Sequence, residues 1–364
     1  MKYGFKAKDF LYGAAITAII ALITGALALL GLSTRVFDPI GQAISNFHLS
    51  DSFFYSRSLH AGEQKEANPG VVLVNIADCD SREEIADIVN RINSASPKLL
   101  AVDVIFARYA SASAAGDSAL VAALSEAGKL ILAQRWTRSA EEWTVERSFF
   151  ADVIPCIEGD VNFTYGVVRE FSDSFAAGNR VVPSFIGQIA CEAGLKEGFG
   201  KQLINYNPVY TVMLTPEQLS DTSLLEDQIV ILGDAGDLRD FHDIPVLMDG
   251  MPRASGMKIF AQCLYSLQPG NGFRECPSWL ALLAGILLTY LFCTFFASPL
   301  FRVNRFNGFW ISVWQLLVML LLVSLNYLLF WSMHFIMPLT WWLVGVGLAG
   351  LATEFFYFCM RNEN

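Results

Sequence analysis

Histidine and the signatures of catalysis are what this chain has least of. Four histidines occur in 364 residues, and no Gly-x-Ser-x-Gly elbow, P-loop, HExxH pair or nucleotide fingerprint at a strand-to-helix turn is present. No catalytic residue, resident cofactor or enzymatic activity is therefore expected. Cysteine is also sparse, with seven residues whose spacings match no zinc or redox motif. Cys293 and Cys359 fall in apolar runs, whereas Cys79, Cys156, Cys191, Cys263 and Cys276 do not. Five allow at most two disulfides, with Cys263 and Cys276 as one candidate pair, but buried free thiols are the expectation. Basic residues are in deficit, 25 against 35 acidic. That leaves no positive footprint of the kind nucleic-acid binding needs, so no nucleic-acid partner is expected.

Long apolar runs, by contrast, occur four times: residues 10–31, 278–298, 309–331 and about 336–358. Each reaches the ~20 residues an α-helix needs to cross ~30 Å of hydrocarbon, which makes the lipid bilayer the first expected partner. One run precedes and three follow a block at 32–277, so four crossings leave that block alone on one side of the membrane. The short flanks, 1–9 and 359–364, share the other side. Ala26-Leu27-Ala28 offers a small-x-small cleavage site, but the first run is longer than the ~7–15 residues of a signal core, so an uncleaved anchor is expected.

Lys2, Lys6, Lys8, Arg302, Arg305 and Arg361 all fall on the side of the short flanks. By the positive-inside rule that side is cytoplasmic. The block itself holds 19 basic and 32 acidic residues, a net of −13, against 6 and 3 elsewhere. The expectation is a multi-pass protein of a bacterial inner membrane, with cytoplasmic termini and a periplasmic or extracellular domain.

Within the block, strand and helix signals alternate. Val71 to Ala77, Leu99 to Phe106, Lys129 to Gln134 and Gln228 to Gly233 are near-continuous apolar runs, which suit strands buried on both faces. Arg82 to Ser96 carries a helical stripe at Ile85, Ile88, Val89 and Ile92, and Ser118 to Ala127, Pro183 to Ala193 and Gly256 to Leu267 also read as helices. The alternation predicts an α/β domain with a largely parallel sheet. Trp143 to Phe150 and Asn162 to Phe171 alternate polar and apolar, as added antiparallel strands would.

Asp234, Asp237, Asp240, His242 and Asp243 crowd together just after the last buried strand. Ligands settle at the carboxyl ends of strands in such sheets, so these residues are the first ligand candidates. Aspartates in these loops also cap helices and close turns. A carboxylate-rich site would suit Ca²⁺ or Mg²⁺, but the spacing fits no EF-hand, and no metal site is assigned. Asp103, inside an apolar strand, reads as a satisfied structural carboxylate.

Several pieces in order resemble a known family. They are Val72 to Asp78, then Val102-Asp103-Val104-Ile105-Phe106, then Asp117 opening a helix, then Gly159, Asn162, Gly166 and Arg169, then Pro183-Ser184. Asn205-Tyr206 follows as part of a strand, then Ile229 to Gly233, Asp240 to Pro245, Gly256 and Ala261. This order is similar to the type 2 CHASE domain, an extracytoplasmic sensory module of bacterial receptors, and runs from about Ser33 to Trp331 and beyond. The resemblance implies a sensory role with three membrane helices after the domain, and it adds Arg169 to the ligand candidates. Two departures stand out: Ser81-Arg82-Glu83-Glu84 replaces a tryptophan- and proline-rich stretch, and Phe260 stands at a usual histidine. The tail after the fourth run, Met360 to Asn364, is too short for an output domain, so output is expected from a separate membrane or cytoplasmic protein.

The apolar runs carry packing signals of their own. Ala14, Ala18, Ala21, Gly25 and Ala28 recur at helical spacing, and small residues let helices approach closely in lipid. Gln315 and Asn326 share a face of the third run. Glu354 lies about 10 Å from the middle of the fourth, where Arg302 or Arg305 is the expected partner. Two functions follow as expectations. One is a receptor subunit that binds an extracytoplasmic ligand or protein and signals through its partner, with homo-oligomers compatible. The other is a scaffold subunit of an envelope complex that docks through its acidic domain.

Overall fold

The computed structural model describes residues 6–33, 48–60, 67–107, 114–139, 142–163, 166–207, 210–297 and 307–362. The chain opens with α1 (Ala7–Ser33), α2 (Leu49–His60), β1 (Ala67–Asn75), α3 (Arg82–Ser94), β2 (Leu99–Asp103), α4 (Ala114–Ser125) and β3 (Leu130–Ser139). There follow β4 (Glu142–Arg147), β5 (Ile157–Asp160), β6 (Glu170–Ser172), β7 (Ser174–Ala177), β8 (Arg180–Pro183), α5 (Phe185–Glu192), β9 (Lys201–Leu203) and β10 (Tyr210–Leu214). Then come β11 (Ile229–Gly233), β12 (Phe241–Met248), β13 (Met251–Ser255) and α6 (Gly256–Leu267). The last elements are β14 (Arg274–Glu275), α7 (Ser278–Ala297), α8 (Asn307–Met333), β15 (Phe335–Ile336) and α9 (Thr340–Asn362). The elements group into two compact units, Phe54–Phe273 and the pair Met1–Phe53 with Arg274–Asn364.

A seven-stranded sheet forms the centre of the first unit, in the order β10-β1-β11-β2-β3-β4 with β5 on the far edge of β3. All its pairs are parallel except β3 with β4. Val72, Val74, Leu100, Val102, Leu130, Leu132, Val230 and Leu232 share a core with the buried stripes of α3 and α4. Their neighbours Val71, Leu73, Leu99, Ala101, Ile131, Ile229 and Ile231 are buried too, on the face where α5 and α6 pack. Burial on both faces is why these strands read as continuous apolar runs rather than as alternation.

Ser81 starts α3 by accepting the Glu84 N–H, while the Glu84 carboxylate accepts from Asp80 N at 3.1 Å. The stretch that departs from the family pattern is thus a helix cap. Arg82 pairs with the buried Asp117 in the first turn of α4 and lies over the rings of Phe106, Phe149 and Phe150.

Some expected strands differ. Trp143 to Phe150 does pair antiparallel with β3, but only over Glu142–Arg147, because Ser148 caps a short 3₁₀ turn at Phe149–Asp152. Asn162 to Phe171 is not an added strand. Asn162 turns back to donate to Trp136 O and Asp160, Gly166 sits at φ +82°, and only Glu170–Ser172 is extended, paired antiparallel with β9. Asn205-Tyr206 follows β9 instead of lying in a strand. Its backbone is held by the Asn205 N–H to Ser266 Oγ at 2.8 Å and the Tyr206 hydroxyl to Val168 O at 2.6 Å. The short β5 and β10, and the insertion of β11 between β1 and β2, were not anticipated.

Among the described residues, the other unit contains four helices long and apolar enough to cross a membrane. Helix α1 packs on α7 and α9, α7 on α9, and α8 on α9. The small-residue seam of α1 lies largely apart from the helix contacts within this chain. Ala14, Ala18, Ala21 and Gly25 are exposed, and the side chain of Ala28 lies outside the described residues. The buried stripe of α1 is Gly13, Ile16 and Ile20. Close approach falls on glycines that have no room for a Cβ: Gly13 against Thr294, Gly285 against Trp342 and Gly345 against Thr289. The amide of Gln315 donates to Val346 O and Gly347 O, and Asn326 bonds both the N–H and the C=O of Met337. Glu354 is exposed, and its expected partners Arg302 and Arg305 lie outside the described residues. The fourth helix begins at Thr340 and not at Ile336, because Pro338 precedes it and Phe335–Ile336 pairs with Arg274–Glu275 as a two-stranded ribbon.

Candidate functional site

Strand register sets the carboxyl edge of the sheet. Asn75 lies opposite Gly233, Gly233 opposite Asp103, and Gln134 opposite Asp160. Asn75 Oδ1 accepts from Ala77 N at 3.1 Å and Ala235 N at 2.9 Å, which folds the loops after β1 and β11 over the edge. Burial pushes the Asp103 carboxyl well above its ordinary range, the charge of Asp240 adds to this, and Arg135 opposes it.

This geometry gives most of the ligand candidates structural roles and brings His242 beside Asp240. Asp234 accepts from Gly236 N and Asp237 N at 2.7 and 3.1 Å, and so closes its own turn. Asp237 binds the Arg239 backbone and guanidinium, which holds its carboxylate below the usual range. Asp240 accepts from Gly256 N at 2.9 Å at the start of α6, in space that only a glycine leaves open. Asp243 pairs with Arg253 across the β12–β13 hairpin at 3.1 Å, and its carbonyl accepts from Val168 N. Arg169 is half-buried, and its carbonyl accepts from Ile204 N at 2.8 Å. Among the described residues, no three metal-ligating side chains gather as a ligand set. All six therefore have partners within the protein, with Arg169 donating to Val167 O at 3.5 Å and His242 Nε2 lying 3.6 Å from Asp240 Oδ1.

A second feature of the same edge is larger. At the carboxyl ends of β3 and β5 opens a cleft of about 680 Å³, within the ~300–1,000 Å³ of small-molecule pockets. Strand β3 runs on past the sheet edge and brings Trp136 and Arg138, with Trp143 opposite on β4. Phe171 and Phe175 come from β6 and β7, and Phe163 and Phe260 complete an aromatic wall. Trp143 and Phe175 stand 6.0 Å apart and tilted, and Phe163 lies 4.8 Å from Phe260. Gly159 lets β5 touch α5, since a Cβ there would lie 2.5 Å from the Phe185 Cα.

Polar groups in the cleft are mostly engaged. The buried Asp160 carboxylate accepts from Trp136 N at 2.8 Å, Asn162 N at 3.2 Å and Asn162 Nδ2 at 2.9 Å. Burial raises its pKa and these hydrogen bonds oppose the rise. Glu170 pairs with Lys201, and Ser184 caps α5 while donating to Ser172 O. The Trp136 indole N–H is buried away from the cleft surface, with no acceptor among the described residues. Sequence reasoning missed this cleft because its aromatics come from separate elements. The usable signal was on β3, where apolar residues give way to Trp136 and alternate exposure past the edge of the core. Of the expected ligand residues, His242 meets the cleft wall, with its ring 4.8 Å from Phe163.

Fold and cleft together define a mixed α/β domain with a ligand-sized cleft, in a chain whose described residues include four helices long and apolar enough to cross a membrane. A family model of the CHASE2 domain matches residues 18–295, and the chain belongs to this family of extracytoplasmic sensory domains. Comparison with curated proteins and with solved structures gives no match.

Proposed function

We propose that the protein is a membrane-anchored sensor whose extracytoplasmic domain binds a small ligand in the cleft at β3 and β5 and passes its occupancy to a separate partner protein. The observation that carries this reading is the cleft itself: a ligand-sized, aromatic-walled cavity at the carboxyl edge of a parallel sheet, in a member of a sensory family. The reading is of a binding protein without catalysis, since Asp234, Asp237, Asp240 and Asp243 are occupied in shaping the backbone. Both termini are assigned to the cytoplasm from the distribution of lysine and arginine.

Affinity purification of the detergent-solubilised full chain from native membranes tests the partner. Recovery of a defined signalling protein, in an amount that changes when the cleft is blocked by Ile186→Trp, is the expected result. Recovery of a large complex in fixed ratio, indifferent to Ile186→Trp, would replace the sensor with a scaffold subunit.

A further inference from the structure

We propose that a groove between α1, α7 and α9 is a lipid site that holds one acyl chain of a bilayer phospholipid. The groove has a volume of about 350 Å³, and Ala21, Gly25, Leu282, Ile286, Trp341 and Val344 are among its lining. It shares no residue with the cleft at β3 and β5. The lining comes from the middle and later turns of α1 and the opening turns of α7 and α9, so all three helices present it in one half of the bilayer when each crosses once.

Shape selects the occupant. At about 1.5 Å per residue the lining runs about 12 Å, from Thr17 to Gly25 on α1, which gives a mean cross-section of about 30 Å². A helix about 10–12 Å across needs about 80 Å² or more and cannot enter, whereas a single extended hydrocarbon chain can. The glycines say where the room was left. A Cβ at Gly285 would meet the Trp342 ring and one at Gly345 the Thr289 hydroxyl, so these two serve the contact of α7 with α9. Gly25 has nothing within 4 Å of a Cβ, so no helix contact in this chain calls for a glycine there, and its missing side chain leaves the groove open.

The walls offer the chemistry of hydrocarbon. Thr17, Thr24 and Thr289 turn their hydroxyls back to Gly13 O, Ile20 O and Gly285 O at 2.8, 2.8 and 2.9 Å, which spends the donors a polar ligand would need. Trp341, exposed in the first turn of α9, stands at the end of the helix, where indole rings mark the boundary between tails and headgroups. The chain is held by close packing, since the surrounding lipid is as apolar as the groove and supplies no hydrophobic drive.

The test uses the full chain in phospholipid nanodiscs that carry a trace of phosphatidylethanolamine with a diazirine in one acyl chain. A parallel sample carries palmitic acid with the same diazirine. After illumination, adducts are located by tandem mass spectrometry. Labelling by the phospholipid at Gly25, Ile286 and Val344 is expected to exceed that at Leu321 and Leu328, exposed on α8, by about threefold or more. Gly25→Phe, which fills the groove, should bring groove labelling down to the α8 level while α8 labelling and the melting temperature stay as they were. Ala21→Phe makes the same test should Gly25→Phe fail to fold. Groove labelling no higher than that of α8 would overturn the site, as would labelling that the filling substitution leaves unchanged. Labelling by palmitic acid alone would overturn phospholipid as the source. A Gly25→Cys protein that forms disulfide-linked dimers on mild oxidation, and loses its groove labelling when it does, would give the groove to a second copy of the chain.

Discussion

Asp103 ends β2 opposite Gly233, and its carboxyl is held well above the ordinary range by burial first and by Asp240 second. A carboxyl whose pKa is raised by folding binds its proton more tightly in the native state. Its stabilising contribution is complete below the unfolded value near 4 and is lost as pH rises through the folded value. Asp103→Asn keeps the shape without the charge. The variant should therefore melt at a higher temperature than the parent at pH 7, and the gap should close toward pH 4. Thermal unfolding across pH 4 to 7.5 measures this, and a gap that does not change with pH would show that Asp103 does not titrate in that window. Asn205 makes the opposite case, a neutral side chain on which charge and backbone depend. It is buried, its amide accepts from the Arg57 guanidinium and donates to Asn271 O at 2.7 Å, and its backbone N–H donates to Ser266 Oγ. Arg57 lies over Phe54 and Phe273, and burial lowers its pKa to about 10, so it stays charged at neutral pH. Asn205→Ala removes the Oδ1 and Nδ2 partners and should cost roughly 2–4 kcal/mol in urea unfolding. A loss below about 1 kcal/mol would mean that water replaces the amide.

At the scale of elements, what the chain sequence reveals depends on whether the deciding physics is local. The core strands were legible because burial on both faces leaves uninterrupted apolar runs at Val71 to Val74 and Ile229 to Leu232. Helix α6 was legible to the residue, Gly256–Leu267, because its stripe and its leading glycine are both local. The neighbour order was not, since nothing in the periodicity of β11 says that it inserts between β1 and β2. Strand β5 was missed because four residues containing Gly159 carry too little pattern. For α1 the limit is different: helical spacing shows that Ala14, Ala18 and Ala21 share a face, but not what that face packs against. Gly13 and Ala14 now separate the two faces in adjacent positions. A side chain at Gly13 would start 2.9 Å from the Thr294 Cα, which cannot rotate away, whereas Ala14 is exposed. Gly13→Leu should lower the melting temperature of the detergent-solubilised protein by several degrees, in line with ~1–3 kcal/mol of overpacking, and Ala14→Leu should leave it nearly unchanged. Equal effects at both positions would return the contact face to the alanines.

For the whole molecule the open quantity is orientation, and charge supplies the argument. Transferring lysine and arginine across a membrane is disfavoured, so short basic flanks stay where the chain is made. Lys2, Lys6 and Lys8 before the first helix, Arg302 and Arg305 between the second and third, and Arg361 after the fourth all lie on one side if each of α1, α7, α8 and α9 crosses once. The stretch between α8 and α9 is the counter-check, for it carries His334 and no lysine or arginine. The same arrangement would put the acidic domain, with 19 basic and 32 acidic residues over 32–277, on the opposite side. A fluorescent protein that matures only in the cytoplasm should light up when fused after Asn364. The same reporter inserted after Gly250 should stay dark, because Asp249 and Gly250 form the exposed tip of the β12–β13 hairpin and the insertion leaves the sheet intact. A periplasmic phosphatase at the two positions should give the reverse pattern. A dark C-terminal fusion with an active phosphatase there would mean that one of the four helices does not cross, and the assignment of the Asn364 end to the cytoplasm would fall with it.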